Sequence, residues 1–157
     1  MNPWSLTVTQ LIVSEEFHSP ADRLWALLRD FGNLAAWWPR GSPIKIDRVE
    51  QEGRGVGMIR HIYYVGVPTP LSERLDDIDD DARTYRLSIV GSKMPGLVSY
   101  TAKGVVTELG ADRCRLDYSA DIEVAGDKES SVQKTLRFGF SQVIAGLKAA
   151  TEGRSHG

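Results

Sequence analysis

The chain has 157 residues, of which 41% are hydrophobic and 25% are charged, and its formal net charge is -2. This composition is typical of one globular domain with its own core, and it excludes a disordered, collagen-like or coiled-coil chain. The small acidic excess argues against a general nucleic-acid binder. No apolar run approaches the length of a membrane span, so we expect no stable membrane insertion.

Cysteine and histidine are too sparse to predict a metal site. Cys114 has no second cysteine to pair with, which excludes an internal disulfide and favours a reducing, cytoplasmic location. His18, His61 and His156 show no ligand spacing, so we expect no metal. Residues 1–10 lack the basic start and apolar core of a signal peptide. No phosphate-binding, dinucleotide-binding or nucleophile-elbow motif occurs, so no cofactor is predicted.

The first elements are a strand and two short helices. Residues 6–17 are rich in β-branched and apolar side chains, which predicts a strand. Ser19 is predicted to cap the next helix, with Pro20 in its first position. Apolar residues at helical spacing continue this helix to residue 31, and a second short helix is predicted over residues 34–38, before Pro39.

A run of strands and turns occupies the middle of the chain. Strands are predicted over residues 44–50 and 56–64, after residue 71, around residues 85–89, and over residues 98–109 and 113–124. Residues 66–70 and 91–96 are predicted to be loops stiffened by proline. Residues 76–81 hold five acidic positions and are interpreted as a solvated turn rather than a metal site.

The last strand and the last helix show the clearest patterns. Residues 114–124 alternate apolar and polar side chains, which is typical of an antiparallel strand with one dry face. After Gly126 the period changes to that of a helix of about 20 residues, ending near Gly153. The order therefore predicts an α+β protein: a curved seven-stranded antiparallel sheet around a long C-terminal helix, with an internal cavity between them.

Several short motifs, in this order, carry a family resemblance. The motif-bearing segments are 19–25, 30–34, 38–39, Gly57 with Arg60, 73–75 with 79–81, Tyr85 and 88–91. The chain resembles the helix-grip proteins of the START and Bet v 1 (SRPBCC) superfamily, and within it the bacterial polyketide cyclase/dehydrase-like proteins. The resemblance implies one START/Bet v 1-like domain over residues 1–157, with the last few residues disordered.

A narrower likeness links the chain to the plant abscisic acid receptors of the same superfamily. Their gate loop is similar to residues 66–69, their pocket lysine matches Lys45, their Glu-Arg-Leu strand matches residues 73–75, and a pocket tyrosine matches Tyr100. Where they carry His-Arg-Leu, this chain has residues 93–97, Lys-Met-Pro-Gly-Leu. The resemblance therefore implies a fold and a pocket rather than a particular ligand.

Three charged residues have two open interpretations each. Arg60 falls on an apolar face, where it binds a ligand carboxylate or carbonyl, pairs with Glu73 on the neighbouring strand, or does both as an ion pair that lines a pocket. Glu73 is either that partner or a general base. Alternation places Lys45 in solvent, whereas the receptor likeness places it in the pocket.

Aromatic residues and glycines complete the candidate site. Tyr64, Tyr85, Tyr100 and Tyr118 are predicted to face inward, as core residues or as hydroxyls offered to a ligand. Trp37 and Trp38 end a helix near the presumed mouth, where packing and ligand contact are both open. Gly139 and Gly146 either leave room for a ligand or allow close backbone contact.

The favoured hypothesis is binding of one small hydrophobic molecule, such as a lipid, polyketide, isoprenoid or aromatic compound, in the cavity. The alternatives are a cofactor-independent cyclase or dehydratase, with Glu73 or Tyr100 moving a proton, and a ligand-gated protein whose loops bind a partner chain. A protein partner or a homodimer is left open. The expected ligand-binding residues are Lys45, Arg60, Ile62, Tyr64, Val67, Pro68, Glu73, Tyr85, Leu87, Met94, Tyr100, Phe140 and Ile144.

Overall fold

One antiparallel sheet and one long helix make up most of the structure, a computed structural model that describes residues 5–152. The strands are β1 (Leu6–Phe17), β2 (Ile46–Glu52), β3 (Ile59–Tyr64), β4 (Leu71–Asp79), β5 (Thr84–Val90), β6 (Leu97–Gly110) and β7 (Arg113–Ala125). The α-helices are α1 (Ala21–Arg29) and α2 (Glu129–Glu152), and 3-10 segments occupy Phe31–Ala36 and Gly126–Lys128. The predicted end of α2 near Gly153 and the predicted disorder of the last residues lie outside the described range.

The strand order is β1-β7-β6-β5-β4-β3-β2. Strands β2 to β7 therefore form a meander, in which each strand pairs with its neighbour in sequence. Strand β1 pairs with β7 instead, so that Gln10 lies opposite Asp121. This arrangement confirms the predicted seven-stranded α+β helix-grip fold.

The inner face of the sheet forms the core together with α2. In β7, Cys114, Leu116 and Ile122 are at most 2% exposed, as the alternation predicts. In β1, Leu11 and Phe17 are fully buried. The apolar stripe of α2 lies across this face and buries Val132, Leu136 and Leu147. The burial of these side chains provides the main hydrophobic stabilisation of the fold.

The predicted N-terminal cap of α1 is wrong. Pro20 is the N-cap, with φ near -59° and ψ near 145°, and no side chain caps the helix. The Ser19 hydroxyl donates to the Pro20 carbonyl, 3.1 Å away, and accepts no hydrogen bond from the backbone N–H groups of α1. The second helix is a 3-10 segment, Phe31–Ala36, that begins earlier than predicted.

The predicted acidic turn at residues 76–81 is also placed differently. Strand β4 continues to Asp79 through an irregularity in its pairing with β5 between Leu75 and Asp77. The turn follows at Asp80, whose carboxylate accepts hydrogen bonds from Arg29 at 2.7 Å and from the Trp25 indole at 2.8 Å. These contacts fix the β4–β5 turn to α1, and they account for part of the acidic run.

Strands β2 and β3 begin later than predicted. Strand β2 starts at Ile46 rather than at residue 44, and β3 starts at Ile59 rather than at residue 56. Val56 therefore precedes β3 and is 58% exposed, instead of lying on the inner face. The glycines at 53, 55 and 57 all have positive φ, which keeps this segment in a turn.

Candidate functional site

A cavity of about 570 Å³ lies between the inner face of the sheet and α2. Its walls are mostly apolar, and its volume is in the range of about 300–1,000 Å³ that small-molecule pockets occupy. Of the residues predicted from sequence, those that line it are Arg60, Ile62, Tyr64, Val67, Glu73, Tyr85, Leu87, Met94, Tyr100, Phe140 and Ile144.

Two of the predicted residues do not line the cavity. Lys45 is exposed and its ammonium group donates to the Arg40 carbonyl at 2.7 Å, while its neighbour Ile44 lines the cavity. The position of Lys45 therefore agrees with the alternation along the chain rather than with the likeness to the receptors. Pro68 is exposed in the loop between β3 and β4, whose residues Val67 and Thr69 line the cavity.

A buried ion pair forms the most polar part of the cavity wall. Arg60 and Glu73 are directly opposite on β3 and β4, and their side chains are only 12% and 11% exposed. Two guanidinium nitrogens of Arg60, Nε and Nη2, lie 2.8 and 2.7 Å from Glu73 Oε1. The third, Nη1, donates to the Phe31 carbonyl at 2.9 Å, and the guanidinium carbon lies 3.9 Å from the centre of the Phe31 ring.

The ion pair that the sequence offered as one interpretation of Arg60 is present, and Arg60 also lines the cavity. Each of its three nitrogens lies within hydrogen-bond distance of a protein oxygen, so Arg60 holds Glu73 in place. Ligand binding by Arg60 stays a prediction. Oxygen Oε2 of Glu73, by contrast, accepts no hydrogen bond from any residue in the range 5–152. The cavity therefore contains a carboxylate oxygen that can accept a hydrogen bond or a proton from a ligand.

Four of the tyrosines line the same cavity. The hydroxyls of Tyr100 and Tyr118, on β6 and β7, share a hydrogen bond of 2.5 Å. The hydroxyls of Tyr64 and Tyr85 form no hydrogen bond within the described part of the chain. Neither oxygen is fully buried, because both residues line the cavity. Desolvation raises the pKa of all four well above the ordinary value. These hydroxyls therefore stay protonated near neutral pH and can donate hydrogen bonds.

Because the native state holds these four tyrosines protonated, we expect alkali to destabilise the fold. The unfolded chain releases tyrosine protons from about pH 10, whereas the folded chain does so only at higher pH. The contribution of the four tyrosines to the free energy of unfolding is therefore fully present below about pH 10, and it is lost as the pH rises above that value. Urea unfolding at a series of pH values, with tyrosinate absorbance recorded on the native protein, measures both effects. Native-state ionisation of all tyrosines near the ordinary pKa would contradict this expectation.

The 3-10 segment and the residues after it form part of the cavity wall. Phe31, Leu34, Trp37 and Trp38 all line it. The Trp38 indole donates to the Ile44 carbonyl at 2.8 Å, while the buried Trp37 Nε1 has no hydrogen-bond partner among the described residues. The sequence leaves the role of the two tryptophans open. It does not predict that Phe31 and Leu34 line the cavity, because their helical spacing indicates only that they are buried.

The structure separates the roles of the two glycines of α2. A Cβ added to Gly139 would meet nothing within 4 Å, and Gly139 lines the cavity. A Cβ added to Gly146 would lie 2.3 Å from the Trp37 carbonyl oxygen. Gly139 thus leaves space in the cavity, whereas Gly146 allows close contact between α2 and the backbone after the 3-10 segment.

Two proline-containing loops contribute to the cavity wall. Val67 lines the cavity and is 50% exposed, and Val65 beside it is 63% exposed. Lys93 and the half-buried Met94 line the cavity from the loop before β6. The role of these loops as flaps at a mouth stays a prediction. Elsewhere, residues 5–152 contain no cluster of metal-ligating side chains and no helix suited to cross a membrane.

A curved antiparallel sheet wrapped around a C-terminal helix, with a cavity between them, defines the class of helix-grip proteins. The family model for polyketide cyclase / dehydrase and lipid transport proteins matches residues 8–152. The chain therefore belongs to that family. The more specific likeness to the plant abscisic acid receptors stays a prediction.

Solved structures show the same fold. Norcoclaurine synthase from Thalictrum flavum, in complex with dopamine and hydroxybenzaldehyde, has a TM-score of 0.76 and 22% identity over 99% of this chain and 93% of that chain. The protein XoxI from Bacillus cereus has a TM-score of 0.78 and 19% identity over 94% of this chain and 99% of that chain. At these identities the likeness concerns the fold alone.

Proposed function

We propose that this protein binds one small, largely apolar molecule in the cavity between the sheet and α2. The observation that carries the proposal is the cavity itself, with about 570 Å³ of space and mostly apolar walls. A cavity of this size exposes apolar surface that a ligand would remove from water, and the binding energy grows with the area removed. The family description, which includes lipid transport, supports the same function.

The polar groups of the cavity specify what the ligand must carry. The hydroxyls of Tyr64 and Tyr85 can donate hydrogen bonds, and Glu73 Oε2 can accept one. A matching ligand has a carbonyl or hydroxyl oxygen on an otherwise apolar skeleton, which fits a polyketide, an oxygenated isoprenoid or a phenolic compound. A ligand that leaves these groups unpaired would lose affinity because buried polar groups need partners.

Proton transfer is the second candidate function, and Glu73 is the observation that favours it. An unengaged carboxylate oxygen beside protonated tyrosine hydroxyls provides a base and acids in one apolar cavity. Such a site suits a cyclisation or a dehydration of a bound carbonyl compound. A Glu73→Gln variant keeps the shape of the side chain and removes the base. It should lose turnover of a substrate that still binds, and thermal unfolding checks that the fold survives with Arg60 unpaired. Unchanged turnover of an identified substrate would remove Glu73 from the mechanism.

Filling the cavity from α2 tests the binding function directly. We expect Gly139→Leu to place a side chain in the cavity and to weaken binding of the fluorescent probe N-phenyl-1-naphthylamine at least about tenfold. The helix tolerates leucine better than glycine, so the fold should be retained. Fluorescence titration gives the affinity, and thermal unfolding checks the fold.

The matched control is Ala145→Leu, which adds a leucine to an exposed position of the same helix. It should bind the probe as the wild type does. Equal affinity of Gly139→Leu and wild type would show that the probe binds elsewhere. Native mass spectrometry of the gently purified protein complements the titration, because an adduct lost on denaturation identifies the ligand class.

A further inference from the structure

A second, smaller cavity of about 270 Å³ lies between β1 and α2. We call it the window; its lining residues are Val13, Glu15, Arg137, Phe140, Ser141 and Ile144. Val13, Phe140 and Ile144 also line the main cavity. These three side chains therefore form the wall between the two spaces.

The position of the window follows from the topology of the sheet. Strand β1 is an edge strand, so no further strand covers its free side. Two polar contacts join β1 to α2 on either side of the window. Thr9 donates to Glu129 at 2.8 Å, and Lys148 lies 3.0 Å from Glu15.

Phe140 is the largest side chain in the wall. It is half-buried, and its ring lies edge-on to Tyr118 with the ring centres 5.2 Å apart. Because Phe140 lines both spaces, an apolar chain that extends from the main cavity to the window passes beside this ring.

The charges around the window differ from those of the main cavity. Arg137 is exposed and forms no hydrogen bond or ion pair within residues 5–152, whereas Glu15 is paired with Lys148. The window therefore has an unpaired guanidinium beside an apolar wall. A guanidinium binds carboxylates and phosphates through two parallel hydrogen bonds.

We propose that the window binds the anionic end of an elongated amphipathic ligand whose apolar chain lies in the main cavity. This inference rests on the proposed binding function and adds the charge, the shape and the orientation of the ligand. Arg137 recognises the anion, Phe140 and its neighbours contact the chain, and Glu73 and the tyrosines lie on the wall that the chain faces.

The test compares two probes of equal length, laurate and dodecanol, by their displacement of N-phenyl-1-naphthylamine from the protein. The wild type should prefer laurate at least fivefold. Arg137→Gln should abolish this preference and leave the affinity for dodecanol unchanged. The matched control removes another cation of the same helix: Lys134→Gln, on the exposed side of α2, should keep the preference. Lys93→Gln removes the cation that lines the main cavity and tests that position as the alternative site of the anion.

The outcomes are distinct. Equal displacement by laurate and dodecanol, or loss of the preference in Lys93→Gln but not in Arg137→Gln, would overturn the inference while leaving the proposed binding function in place. Failure of the naphthylamine to bind and of either lipid to appear as an adduct in native mass spectrometry would overturn both. A preference that depends on Arg137 alone would establish the window as the site of the anion.

Discussion

Replacing Arg60 by methionine is expected to lower the free energy of unfolding by about 3–5 kcal/mol. The side chains of Arg60 and Glu73 are almost as buried as the core, and Arg60 supplies the only charge of opposite sign that contacts Glu73 within the described residues. Without it, the carboxylate of Glu73 remains in an apolar cavity with no cation. Urea denaturation of both proteins at neutral pH measures the difference.

Two further variants make the result interpretable. The double variant Arg60→Met/Glu73→Leu removes both charges and should recover much of the loss, because it leaves no isolated buried charge. Arg74→Met breaks the half-exposed pair that Arg74 forms with Asp76 and should cost at most about 1 kcal/mol. If Arg60→Met lowered the free energy of unfolding no more than Arg74→Met, the buried pair would contribute no more to stability than a surface ion pair, and the prediction would be wrong.

The two glycines of α2 should respond in opposite directions to the same substitution. Gly146→Ala places a Cβ 2.3 Å from the Trp37 carbonyl oxygen, which belongs to the backbone and cannot rotate away. We expect a loss of about 1–3 kcal/mol from overpacking, even though alanine favours a helix. Gly139→Ala meets nothing within 4 Å and should gain up to about 1 kcal/mol.

Thermal and urea unfolding of the two alanine variants, measured side by side, check this prediction. Helix propensity contributes to both, so the difference between them isolates the contact of α2 with Trp37 and with Pro39, whose Cδ would lie 2.9 Å from the new Cβ of Gly146→Ala. A shift of the same sign and size in both variants would mean that the contact is easily relieved.

The sequence predicts the parts of the fold in which the hydrophobic pattern follows directly from the boundary between core and solvent. The alternation in β7 follows from a dry face against α2 and a wet face outside, and the stripe on α2 follows from the same boundary. The errors arise where a local preference competes with geometry elsewhere. Ser19 is a good cap by type, yet Pro20 takes that position, and Asp76 suits a turn, yet β4 absorbs it through an irregularity.

The sequence predicts most of the residues that line the candidate site, but it does not predict the contacts that they make with one another. Alternation places Tyr64, Tyr85, Tyr100 and Tyr118 on the inner face, yet it cannot say that two of them share a hydrogen bond while two remain free. The window was not predicted at all. It depends on the spacing between β1 and α2, which belong to opposite ends of the chain and meet only in three dimensions.

The strand order also bears on how the chain folds. Strands β2 to β7 pair between sequence neighbours, so short loops suffice to form them, whereas β1 must reach β7 across a separation such as the 111 residues between Gln10 and Asp121. Closing a long loop costs entropy before any contact offsets it, which makes such pairings slow. A chain that has formed the meander but not yet joined β1 would expose the hydrogen-bonding edge of β7. During that interval β7 can pair with a strand of another molecule, so the docking of β1 protects the protein from aggregation as well as completing its sheet.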